Sequence, residues 1–151
     1  MHIRLVAVGD RPEWLRMRSQ LWPSSGVDEL ATEIDKFLAQ PLHPATTLMA
    51  AFVVDRGDGR LGGFVEVSVR NYAEGCTSDR VGYIEGWYVD ADLRRQGWGA
   101  ALIQAAETWA KQLGLTEMAS DCELDNTVSL EAHQALGYCE VERVICFRKA
   151  L

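Results

Sequence analysis

The 151 residues carry 15 Lys and Arg against 22 Asp and Glu, a formal charge of −7 at pH 7, with 48% hydrophobic and 25% charged residues. That composition suffices for one globular core and excludes disorder, collagen and coiled coil. An acidic chain repels phosphate backbones, which argues against a nucleic-acid partner and for a cationic ligand drawn to a negative cleft.

The first predicted element is a strand over residues 2–8, alternating and rich in β-branched types. Gly9 and Asp10 stop it, with Asp10 a candidate N-cap and Pro12 near the first turn of a helix over 12–21. Trp22-Pro23-Ser24-Ser25-Gly26 ends that helix, and a second runs over about 27–39 with Leu30, Ile34 and Phe37 on its apolar face. Pro41 to Pro44 reads as a loop. Strands follow at about 47–54 and 60–70, joined by the Gly/Asp turn Asp55–Gly59. After a polar loop at 71–80, residues 81–89 form a further strand that carries one conspicuous charge, Glu85. An amphipathic helix from Ala100 to Leu113 closes at Gly114. A short strand at 115–122, a helix at 126–136 and a last strand at 138–148 complete the chain. The fold class is α/β (α+β), one domain over 1–151, with a mixed sheet and helices on its faces.

No apolar run approaches the ~20 residues of a membrane span, and the N-terminus lacks the layout of a signal peptide. Cys76, Cys122, Cys139 and Cys146 form no C-x-x-C pair. They read as free thiols in a cytoplasmic protein, with no metal site and no membrane partner.

The stretch from Val89 to Ala100 runs from a strand end into a helix start. The first amides of a helix have no intrahelical partner and attract anions. Gly97 and Gly99 admit a phosphate to the backbone, and Arg94 and Arg95 add positive charge. A Rossmann fingerprint fails because Leu102 stands at its third glycine, and a Walker A lysine is missing. The plainer alternative is a glycine-softened helix entrance with two solvated arginines.

Arg94-Arg95-Gln96-Gly97-Trp98-Gly99 resembles the R/Q-x-x-G-x-G/A motif of the GNAT acetyltransferases. The order of elements matches that family along essentially the whole chain, as does the helix from Asn126 to the ending Ala135-Leu136-Gly137-Tyr138. A narrower resemblance to the aminoglycoside 6'-N-acetyltransferases lies in Gln20-Leu21-Trp22-Pro23, Tyr83-Ile84-Glu85-Gly86 and Glu117-Met118-Ala119-Ser120-Asp121. It continues in Asn126-Thr127, His133-Gln134-Ala135-Leu136-Gly137 and Glu142-Arg143-Val144-Ile145. The resemblance implies a GNAT fold with a mixed, mostly antiparallel central sheet, acetyl-coenzyme A as co-substrate, an aminoglycoside as substrate and a homodimer.

It also implies roles. Gln96, Gly97, Trp98, Gly99 and Ala100, with Arg94 and Arg95, would hold the pyrophosphate of the coenzyme. Trp87, Tyr88 and Val89 would offer edge amides to its arm, and Asn126 a further contact beside the ordinary work of a helix cap. Glu85 must have a partner or open onto a cleft, since an unpaired buried carboxylate is costly. It is read as the group that attracts the substrate ammonium and helps remove its proton, the alternative being a pair with a structural arginine. Asp121 is a second anionic contact or the cap of the next helix, and Glu142 a third acidic candidate. Trp22 and Tyr72 either line the sugar site or pack. His133 stands where many family members have a tyrosine that protonates the leaving thiolate, so the acid is left open between His133, Tyr138 and neither. Rival functions are acetylation of polyamines or protein N-termini, and a non-catalytic sensor of coenzyme or amino sugar.

Overall fold

Apolar side chains at positions 30, 34 and 37 lie along one stripe of a helix, and acids in its first turn complement the partial positive charge there. In the computed structural model, which describes residues 1–40 and 48–151, this segment is a helix over Val27–Leu38 with Leu30, Ile34 and Phe37 buried. The expected loop at Pro41–Pro44 lies outside the described residues. The elements in order are β1 (His2–Leu5), α1 (Arg11–Leu21), α2 (Val27–Leu38), β2 (Met49–Asp55), β3 (Leu61–Arg70), β4 (Val81–Val89), α3 (Trp98–Gln112), β5 (Met118–Ser120) and α4 (Thr127–Ala135). One sheet holds β1 to β5 in sequence order, antiparallel except for the parallel pair of β4 with β5.

The middle strands are apolar on both sides, as buried strands must be. Val53, Leu61 and Phe64 face α1 and α2, where they meet Trp14, Met17, Ile34 and Phe37. Their neighbours Val54, Val65 and Val67 face α3, against Leu102, Ile103, Ala106 and Trp109. Each such side chain taken fully out of water contributes about 1.5–3 kcal/mol.

Four sequence expectations are corrected. The first strand ends at Leu5 rather than at residue 8, because Val8–Asp10 turns as a 3-10 segment. The Asp10 carboxylate does not cap α1. It accepts hydrogen bonds from the Ala7 N–H and, at 2.6 and 2.9 Å, from the Arg4 guanidinium. The strand expected at 138–148 is irregular, with Val141, Val144, Ile145 and Phe147 exposed, the last at 93%. Apolar, β-branched composition alone does not make a strand, which needs a partner edge. This segment meets the chain at Val141, lying so close over Gly75 that a Cβ there would come within 2.7 Å. The strand predicted over 115–122 shrinks to β5 at Met118–Ser120.

A charge sits inside the core. Glu66 of β3 is 7% exposed, accepts the Trp14 indole N–H at 2.9 Å and has the Arg18 guanidinium 3.1 Å away. Burial raises its carboxyl from 4.5 to about 7, against the pull of Arg18 and Trp14. A carboxyl raised by folding contributes stability that is present below its ordinary value and lost as pH rises through the folded one. Asp10, Glu13 and Asp90 are shifted downward, so their contributions change only at more acid pH. Melting temperature is therefore expected to fall between about pH 5 and 8, and the Glu66→Gln variant to lack that fall. Parallel curves for the two proteins would refute the assignment.

Candidate active site

Pairing across β3 and β4 slips by one residue. Val67 faces Ile84 while Glu66 faces Gly86, so Glu85 is the extra residue of a β-bulge. A bulge re-aims a side chain, and here it turns the Glu85 carboxylate toward Ser68 and Arg70 of the neighbouring strand. Ser68 Oγ donates to it, and Arg70 grips it with Nε at 2.9 Å and Nη2 at 2.6 Å. The Arg70 guanidinium stacks 3.5 Å from the centre of the Tyr83 ring. Tyr83 in turn donates its hydroxyl to Asp121 at 2.8 Å. Burial raises the Tyr83 phenol, and Asp121 adds to the shift, so it stays a protonated donor. Glu85 and Asp121 are thus joined through one tyrosine and one arginine.

Trp22 lies against β4 next to this group. Its ring occupies the space where a Gly86 side chain would be, 2.6 Å from an ideal Cβ. Glycine at 86 is what lets the indole lie beside Glu85. The structure therefore gathers Trp22, Glu85 and Asp121 at one place. Tyr72 stands 68% exposed in the loop after β3, and Glu142 lies in the exposed C-terminal segment. Neither is hydrogen-bonded to that group among the described residues. Ser68, Arg70 and Tyr83 were not foreseen from the sequence. Their signal was faint: Ser68 and Arg70 stand two apart on β3, opposite the strand that carries Glu85, and Tyr83 stands two before it.

After β4 the chain turns through a loop into α3. Gly97 is the N-cap of α3 with φ 87°, and Arg95 has φ 59°, a left-handed conformation rare outside glycine. Such turns present consecutive N–H groups to a common point. No side chain caps α3, so the amides of Trp98, Gly99 and Ala100 remain available, and the helix begins two residues before the predicted start at Ala100. Arg94 Nε donates to the Val89 carbonyl at 3.0 Å, and Gln96 Nε2 to the Asp92 carbonyl at 2.6 Å, bracing the loop from within. Arg95 is exposed. The loop is fastened to the body by carboxylates. Asp90 accepts from Arg16, Arg56 and Tyr88, and Asp92 from Arg56 at 2.8 Å twice. Burial opposes the charge on Asp90, yet hydrogen bonds from the two arginines outweigh it and hold the carboxyl below its ordinary range.

Between the start of α3 and Glu85, β4 is open. β5 pairs only with Gly82, Tyr83 and Ile84, leaving the edge from Glu85 to Val89 without a strand on that side among the described residues. Trp87 lies against Gly99, where a Cβ would come 3.0 Å from the indole, and meets the His133 ring edge-on at 5.3 Å. Its own Nε1 is buried with no hydrogen-bond partner among the described residues. Trp87, Tyr88 and Val89 are thus placed along an open edge that ends at Glu85.

Asn126 caps α4 by accepting the Ser129 N–H at 3.1 Å, which leaves Asp121 free of that duty. His133 is held at both nitrogens. Nδ1 lies 2.7 Å from the Ser129 carbonyl, which only accepts, so Nδ1 carries hydrogen; Nε2 lies 2.8 Å from Ser120 Oγ. Tyr138 donates to Glu107 at 3.1 Å, and its burial raises the phenol.

A strand open along one edge, an uncapped helix start and two linked carboxylates beside it are parts suited to acyl transfer from a phosphate-bearing carrier. The chain matches the family described as Acetyltransferase (GNAT) family over residues 13–138, and it belongs to that family. It is 47% identical to an aminoglycoside N(6')-acetyltransferase type 1 of Klebsiella aerogenes, over 99% of this chain and 96% of the relative. A Serratia marcescens protein of the same name is 42% identical over 91% of each. Among solved structures, AAC(6')-Iy in complex with the bisubstrate analogue CoA-S-monomethyl-acetylneamine superposes with a TM-score of 0.87, at 35% identity over 99% of this chain and 98% of that one.

Proposed function

We propose that the chain is an acetyl-coenzyme A-dependent aminoglycoside 6'-N-acetyltransferase, acting by direct attack in a ternary complex. The observation that carries this reading is full-length similarity to relatives of that name, 47% in the first case, in a chain that sets an anion cradle and an acidic hollow at the two ends of one open strand edge.

The residues divide the work as follows. Amides of residues 95–100 receive the diphosphate of the carrier, with Arg94 and Arg95 nearby and no side-chain cap to compete. Edge amides of Trp87 to Val89 hold its arm and polarise the thioester carbonyl toward attack. Asn126 adds a coenzyme contact beside its cap. Glu85 and Asp121 attract a polycationic amino sugar, whose ammonium takes over from the Arg70 guanidinium at the Glu85 carboxylate. Glu85 accepts the proton, directly or through one water. Trp22 supplies an apolar wall for a sugar ring, with Tyr72 and Glu142 at the rim. Positioning provides most of the rate, and no covalent enzyme intermediate is required. Acetylation removes one positive charge, which weakens the product's hold on the hollow and on ribosomal RNA, hence resistance.

No described helix is long and apolar enough to cross a membrane, and all four cysteines are free, in keeping with a single domain working in the cytoplasm. The exposed apolar residues after Tyr138 are read as the contact surface of a homodimer. Mass spectrometry and NMR of kanamycin incubated with the protein and acetyl-coenzyme A are expected to show one added acetyl group on the 6' nitrogen. Acetylation at another amine, or of spermidine and peptides in preference, would overturn the assignment.

A further inference from the structure

A buried ion pair needs a reason. Desolvating two charges costs about as much as their attraction returns, and a hydrophobic pair of similar volume is often as stable or more so. Stability alone therefore does not account for Glu66 and Arg18, each under 10% exposed beneath the sheet. The surroundings of the pair suggest what else it does. Arg18 and Trp22 lie one helical turn apart on α1, and the guanidinium carbon sits 4.8 Å from the centre of the indole. The plane of that guanidinium is fixed from three sides. Nη1 donates to the Leu30 carbonyl at 3.2 Å, Nη2 to Glu33 at 2.7 Å, and Nε lies 3.1 Å from Glu66 Oε1, an ion pair off the hydrogen-bond direction. Glu66 itself is anchored by the Trp14 indole and faces Gly86 across the bulge. Gly86 is the residue whose missing side chain admits the Trp22 ring, with Phe64 tilted against it at 6.3 Å. Buried pair, bulge and indole form one contiguous assembly.

We propose that the Glu66–Arg18 pair is a positioning device for Trp22, holding the indole in the wall of the amino-sugar hollow before the substrate arrives. The proposal rests on the reading of Trp22 as a sugar contact. A ring already ordered loses no rotamer freedom on binding, so its benefit appears in substrate affinity and not in the chemical step. Neither residue touches the reacting atoms.

The test uses the whole protein and steady-state kinetics with kanamycin and acetyl-coenzyme A. The double variant Arg18→Met/Glu66→Leu replaces the charges with apolar groups that the core accommodates. It is expected to raise the kanamycin KM by about three- to ten-fold, with kcat and the acetyl-coenzyme A KM unchanged. Arg18→Lys keeps the charge beside Glu66 but loses the flat stack on the indole. It is expected to raise the same KM alone, and it decides the matter if the double variant does not fold. A folded double variant, or Arg18→Lys, with wild-type kanamycin KM would overturn the proposal. Trp22→Ala separates the two readings: if it leaves the kanamycin KM unchanged, the assignment of Trp22 to the sugar site falls and the device with it.

Discussion

Glu85→Gln is expected to lower kcat/KM for an aminoglycoside by about 10²–10³-fold, mostly in kcat, with the acetyl-coenzyme A KM unaltered. Glutamine has the same shape and fits the same bulge, so the backbone that presents it survives. It still accepts from Ser68 through its amide oxygen. What disappears is the negative charge opposite the incoming ammonium and the group that takes its proton. Loss of the pair with Arg70 has a small structural cost, because that side chain is 43% exposed and water solvates it. A rise in aminoglycoside KM with kcat intact would mean that Glu85 only anchors the substrate. Unaltered kcat and KM would remove it from the site.

Gly97→Val is expected to act on the other substrate. With φ at 87°, the position demands a conformation that a β-branched residue adopts at a cost of about 1–2 kcal/mol. A domain of this size loses about 2–4 °C in melting temperature per kcal/mol. No heavy atom lies within 4 Å of a Cβ built there, so the substitution meets open space at the start of α3. Loss of one or two charge-assisted hydrogen bonds to the diphosphate is worth about 10–100-fold in the acetyl-coenzyme A KM. Gly114 at the other end of α3 supplies the control. It too has positive φ, 76°, and an empty surrounding. Gly114→Val is expected to lower the melting temperature comparably while leaving that KM alone. Equal KM effects from both substitutions would trace the defect to backbone strain, and no KM effect at Gly97 would place the diphosphate elsewhere.

Much of the frame was legible because it depends on short-range interactions. β4 runs over Val81–Val89 as its β-branched and aromatic content indicated, and α2 ends within a residue of its predicted limit. The glycine-opened helix start was readable because glycine at 97 and the strand-to-helix transition are local. The start of α3 was missed by two residues, since Trp98 and Gly99 look like loop until the left-handed turn at Gly97 sets the first amides in line.

The remainder depended on pairing. The apolar and β-branched residues of 138–148 read locally as a strand and yet form none, because no sheet edge receives them in the single chain. Glu85 stood out as a charge in an apolar strand, but its bulge belongs to the register with β3, and its partner Arg70 is 15 positions away. Glu66 is the plainest case: a carboxylate in the middle of β3 whose indole donor lies 52 positions distant. By itself the sequence determined the succession of elements as far as the last helix and the glycine-opened start of α3, consequences of forces acting within a few residues, and the acidic character of the molecule, a matter of composition. Only the tertiary structure decided which charges face one another and which aromatic lies beside Glu85, since burial and electrostatics depend on neighbours that the chain brings together only on folding.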